Sequence, residues 1–113
     1  MTIEELKALI DKARNLTAEC QRKIFIASEN KACAVGSILV AVDGVEKIAS
    51  CYKKDGTINF DGYEKYNIYK RFEEIVNCSI NAVIIASEND DNGREAAYAK
   101  MLEKAEKWHL EHD

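Results

Sequence analysis

Apolar residues recur along this chain with two different periods. Near the N-terminus, Ile3, Leu6, Ile10 and Ala13 keep helical spacing, widened by Leu9 and Leu16. Thr2 stands where an N-cap is needed, and Glu5 three residues on completes a capping box. These positions predict a helix that opens at Thr2 and either stops at Asn15, a weak helix former, or continues to about Cys20. Lys23 to Ser28 is β-branched and aromatic and predicts a short buried strand, closed by a turn at Glu29-Asn30-Lys31. Cys33 to Val42 reads as a second strand, bulged at Gly36. Asp43-Gly44 is a hairpin signal, because both turn positions favour residues that tolerate positive φ. Val45 to Tyr52 then becomes the antiparallel partner. Lys53 to Gly56 is a further turn, and Thr57 to Phe60 a short edge strand.

Asp61 with Glu64 makes a second capping box, followed by Tyr63, Tyr66, Tyr69, Phe72, Ile75 and Val76 at helical spacing. That aromatic stripe reads as a core face. Ser79 to Ser87 predicts another strand, and Glu88 to Gly93 a polar loop. A last helix runs from Arg94, its apolar face formed by Ala97, Tyr98, Met101, Leu102, Ala105 and Trp108. The expected order is α-β-β-β-(β)-α-β-α. It describes one α+β domain over 1–113, with a small antiparallel or mixed sheet of four to five strands packed with three helices. The pentapeptide Ile26-Ala27-Ser28-Glu29-Asn30 recurs as Ile85-Ala86-Ser87-Glu88-Asn89. Two related α-β units and simple coincidence explain the echo equally well. If the strands lay side by side, the two Ser-Glu-Asn ends would form a polar rim.

Composition narrows the functional classes. The net charge is −4 with 32% charged residues, which argues against general nucleic-acid binding, DNA included. No apolar run is long enough to cross a bilayer, and the acidic start Met1-Thr2-Ile3-Glu4-Glu5 lacks the pattern of a signal peptide, so a cytoplasmic location is expected. The four cysteines, Cys20, Cys33, Cys51 and Cys78, are widely spaced and read as reduced hydrophobes. His109 and His112 sit at the chain end, where a rigid catalytic base or metal site is not expected, and both are placed in solvent. No nucleotide-binding glycine motif or nucleophile elbow occurs, so no catalytic residue, metal or cofactor is assigned.

The candidate site is the junction Ser87 to Arg94. A strand end entering a helix through a glycine-containing loop exposes backbone N–H groups beneath a positive helix terminus. Arg94 could grip a phosphate, while Ser87, Asn89, Asp91 and Asn92 could bond ribose or a base. The competing reading is ordinary capping, with Asp91 or Asn92 as N-cap and Glu95 as its partner. A basic set at Lys53, Lys54, Lys65, Lys70 and Arg71 is a weaker signal, interspersed with Glu64, Glu73 and Glu74.

The opening Leu6 to Arg14, the stretch Cys20-Gln21-Arg22-Lys23 and the closing Tyr98 to Trp108 helix resemble the phage-encoded Thoeris anti-defence family. The resemblance is one of overall style and carries over no binding residue. It implies a non-catalytic sponge that sequesters cyclic ADP-ribose isomers made by bacterial immune TIR enzymes, in pockets between protomers. The expected ligand is thus a small phosphorylated nucleotide, and the expected assembly a homo-oligomer. The alternative is a protein–protein inhibitor or adaptor that covers a host enzyme surface.

Overall fold

A computed structural model describes residues 1–19, 26–27, 31–49 and 68–112. Among them lie six helices: α1 (Ile3–Leu16), α2 (Ala34–Asp43), α3 (Val45–Ala49), α4 (Ile68–Val76), α5 (Ala82–Asn92) and α6 (Arg94–His112). Three two-residue strands complete the described elements: β1 (Ala18–Glu19), β2 (Ile26–Ala27) and β3 (Lys31–Ala32). β3 is central, parallel to β1 and antiparallel to β2. The expected α+β sheet of four to five strands is therefore replaced by a helical fold with a minimal sheet.

α1 forms as its pattern dictates. Thr2 and Glu5 make both halves of the capping box, and Leu6, Ile10 and Ala13 are buried along one stripe. α6 also follows its periodicity, burying Ala97, Tyr98, Met101 and Ala105. In α4, Phe72 and Val76 are buried as the aromatic stripe predicts. Its proposed start at Asp61 lies outside the described residues, as do Tyr63 and Tyr66.

Two expected strands are helices instead. Cys33 to Val42 contains α2, in which every residue from Ala34 to Leu39 is buried. A helix that is apolar all round gives the same composition as a buried strand, and only its surroundings decide. Here Cys33 Sγ accepts from the Gly36 N–H at 3.4 Å, and the Asn89 side chain accepts from the Ala34 N–H at 2.8 Å. Two orphan donors of the helix start are thereby satisfied. Asp43-Gly44 is consequently not a hairpin. Gly44 ends α2 at φ 91°, donating its N–H to Val40 O, and the chain turns directly into α3. The remainder of the expected strand to Tyr52, the turn at 53–56 and the edge strand at 57–60 lie outside the described residues.

The second misread strand, Ser79 to Ser87, is largely α5. Asn81 caps it by accepting from the Val83 and Ile84 N–H groups. The helix continues to Asn92, through the stretch expected to be loop. Gly93 then stops it at φ 94°, a conformation that disfavours any residue with a Cβ. Of the repeated pentapeptide, the first copy contributes Ile26-Ala27 to β2 while the second is wholly helical. The two do not form equivalent units, and no polar rim of paired strand ends arises from the second copy.

The core joins α1, α2, α4, α5 and α6 around Leu6, Ile10, Ile38, Leu39, Phe72, Ile85 and Tyr98. Phe72 is completely buried. Its replacement by Ala is expected to cost about 3–5 kcal/mol. Urea unfolding of the variant measures this directly, and a loss near zero would show that α4 is not part of the core.

Candidate functional site

The stretch Ser87 to Arg94 is a helix–glycine–helix corner. Ser87, Asp91 and Asn92 lie exposed on α5, while Asn89 is fully buried and Arg94 is 4% exposed. The structure therefore splits the expected group: two members point inward and three stay at the surface.

Arg94 is the first residue of α6, and its side chain reaches back into the fold. Nη1 donates to Thr17 Oγ1 at 2.8 Å, to Ala18 O at 3.1 Å and to Ala32 O at 3.3 Å. Nη2 donates to Thr17 O at 2.9 Å. These acceptors belong to the end of α1 and to β1 and β3. The backbone N–H of Arg94 donates to Glu19 Oε1 at 2.9 Å, so a carboxylate of this chain occupies the positive start of α6. A Cβ on Gly93 would lie 3.1 Å from that same oxygen, so the glycine gives the carboxylate room. Asn89 bonds the start of α2, as described above. Neither Asn89 nor Arg94 thus presents itself to an outside ligand. Their side chains join α1, α2, α5, α6 and the small sheet. Asp91 and Asn92 are the last residues of α5 and cap nothing in α6, and Glu95 pairs elsewhere.

Around this corner the electrostatics are local. The Arg14 guanidinium grips Glu95 with three hydrogen bonds of 2.8 to 3.1 Å and also reaches Asp11. Those bonds hold the Glu95 carboxyl below its ordinary range and push the Arg14 guanidinium up. Tyr98 lies beneath two guanidiniums, 5.3 Å from Arg14 and 5.6 Å from Arg94. Its hydroxyl shares a hydrogen bond of 2.6 Å with Ser37 Oγ, which also lies 2.7 Å from Ala34 O. Burial raises the Tyr98 phenol above its usual value, against the lowering effects of the Ser37 bond and the nearby cations.

A second group of functional side chains lies at the other end of α6. Lys104, Lys107, Trp108 and Glu111 border a depression of about 170 Å³ whose far side is Cys78 and Ser79, in the connection between α4 and α5. Asn77 and Ser79 flank Cys78 at φ 47° and 55°, turning the chain sharply there. Against expectation, His109 is not simply in solvent. Its Nε2 lies 2.8 Å from Met1 O, to which it can donate, and 3.9 Å from Cys78 Sγ. His112 is exposed, as expected, and its ring stacks on Trp108 at 4.3 Å and 14°. In the sequence Trp108 reads as part of the apolar face of the last helix, and Lys104 and Lys107 carry no signal of a site. Nothing in the sequence brings Ser79 opposite them, because that requires the turn before α5.

Among the described residues no group of three or more His, Cys, Asp or Glu is placed to hold a metal ion. No helix among them is long and apolar enough to cross a membrane. Comparison with protein-family models, curated proteins and solved structures gives no match.

Two expectations follow from this geometry. Arg94→Ala strands several carbonyl groups and Thr17, and is expected to cost about 3 kcal/mol or more. Arg94→Lys recovers only part of that, because an ammonium cannot span the same set of acceptors. Chemical denaturation of both variants checks this, and an unchanged midpoint for Arg94→Ala would refute the inward role. Glu95, with its lowered value, adds stability above the ordinary carboxylate range that is lost as pH falls. The pair is solvent-exposed, so the contribution at neutral pH is under about 1 kcal/mol. Glu95→Gln should flatten the acid side of a stability–pH profile relative to the parent.

Proposed function

We propose that this chain is a non-catalytic binding protein that captures a small phosphorylated nucleotide at the depression between Ser79 and α6. The observation that carries this reading is the convergence of Lys104, Lys107 and Trp108 with Ser79 around one hollow. Two ammonium groups one helical turn apart suit phosphate oxygens. An indole face suits a base, and a hydroxyl suits ribose. Glu111 on the rim opposes phosphate and favours a hydroxyl-bearing moiety at its side. The hollow holds only part of a nucleotide, so the remainder lies along the surface. The Arg94 corner has a different task, because its cation is already spent on the fold.

The resemblance to the Thoeris anti-defence proteins makes cyclic ADP-ribose isomers the first ligands to offer. On this reading the chain works in the cytoplasm of a bacterial host, where it withholds an immune signal. A second reading, a protein inhibitor covering a host enzyme, is favoured by one observation. Val83 and Ile84 are adjacent on α5 and 55% and 42% exposed.

Thermal unfolding with cyclic ADP-ribose isomers and cyclic dinucleotides separates the two. Ligand at a hundredfold its Kd stabilises by about 2.7 kcal/mol, a shift of several degrees for a chain of this size. The expected result is such a shift with ligand recovered unaltered, abolished in Lys104→Ala/Lys107→Ala while the unliganded melting temperature holds. A ligand consumed during incubation would replace capture by catalysis. No shift with any nucleotide would leave the protein-partner reading, and Val83→Glu should then release the bound host protein.

A further inference from the structure

We propose that Cys78, His109 and the main-chain carbonyl of Met1 form a binding site for a divalent cation of the Zn2+ class. His109 Nε2 lies 2.8 Å from Met1 O and 3.9 Å from Cys78 Sγ, and Cys78 Sγ lies 3.6 Å from Met1 O. Three donor atoms thus mark the corners of one small triangle. Bonds of about 2.3 Å to sulfur and about 2.0–2.2 Å to nitrogen and oxygen give a tetrahedral zinc centre edges of roughly 3.4–3.6 Å. The triangle is of that size. Only the imidazole has to draw back from the carbonyl, by about half an ångström. Thiolate, imidazole and oxygen together suit zinc, which takes ligands of all three kinds.

The donors reach this point from distant parts of the chain. Met1 precedes α1, Cys78 lies in the connection between α4 and α5, and His109 belongs to α6. Cys78 is buried between Asn77 and Ser79, whose φ angles of 47° and 55° are unfavourable for residues other than glycine. The fold therefore maintains a strained turn at the residue that supplies the thiol. Cys78 borders one hollow and His109 the other, which gives an ion a route from solvent and leaves a fourth position for water. On binding, the thiol loses its proton to solvent and its sulfur bonds the ion. Neutral His109 keeps its single ring proton on Nδ1, freeing Nε2 to bind. One proton is released for each ion taken up. Two side chains and one carbonyl hold an ion less firmly than a four-ligand structural centre, so the Kd is on the order of 1 µM. The bound ion ties the segment before α1, the α4–α5 turn and α6 together, and the site stands independently of the nucleotide reading.

The test is a Co2+ titration of the untagged, reduced full chain, with Met1 verified by mass spectrometry. Co2+ stands in for Zn2+ and reports a sulfur ligand through a near-ultraviolet charge-transfer band. Wild type is expected to show that band, saturating at one equivalent, and to lose it when Zn2+ is added. Cys78→Ala should abolish the band, and His109→Ala should raise the Kd by about a hundredfold. Melting without metal establishes that each variant is folded. His109 is only half-buried, so its variant decides the matter if Cys78→Ala disturbs the core. Cys20→Ser/Cys51→Ser should bind as the parent does. Absence of the band in wild type would overturn the proposal. So would a band that survives in Cys78→Ala, one that vanishes with Cys20 and Cys51, or a His109→Ala protein that binds as tightly as the parent.

Discussion

The buried guanidinium of Arg94 sets what the rest of the chain can do. A cation withdrawn from water has to be surrounded by acceptors, and those acceptors have to be held still. Here they are main-chain carbonyls of Thr17, Ala18 and Ala32 and the hydroxyl of Thr17. The end of α1 and the strands β1 and β3 are thus pinned to the start of α6. Among the described residues no carboxylate pairs with the guanidinium, and its Nε has no hydrogen-bond partner. Position is therefore enforced by neutral groups with defined directions. Glu19 at the α6 start and Asn89 at the α2 start extend the same corner, so that three helix ends share one polar core.

That corner explains both what could be read from the residues and what could not. α1 and α6 announce themselves, because each has one apolar stripe, charged residues elsewhere and, for α1, a complete capping box. α2 and α5 do not. In α2 the burial is on every side, so no period survives in the pattern. In α5 Ile85 and Ala82 are buried while Val83 and Ile84 are exposed, and a β-branched run dominates the local preference. The pentapeptide Ile-Ala-Ser-Glu-Asn makes the point within one chain. Its Ile-Ala pair is strand at 26–27 and helix at 85–86. Tertiary surroundings, with Asn81 capping one copy, outweigh propensity.

The candidate site shows the same division. Arg94 and Asn89 stand out because arginine and asparagine near a glycine suit anion recognition, and they do bind oxygen and N–H groups there. The partners are supplied by the chain itself, tens of residues away, which local reasoning does not reveal. Trp108 reads in the sequence as one more apolar residue of the last helix, but it shares a hollow with Lys104, Lys107 and, across the Asn77–Ser79 turn, Ser79. His109 likewise changes character only through Met1, at the far end of the sequence.

α2 has one more consequence, which concerns the order in which the chain is made. Its six residues from Ala34 to Leu39 are covered by α1, which precedes it, and by α4, α5 and α6, which follow. During synthesis α2 leaves the ribosome well before those later helices exist. For that interval this apolar segment lacks the cover that α4, α5 and α6 give it, and it is open to chaperones or to a neighbouring copy. Completion of α6, with Arg94 closing the corner, ends that exposure.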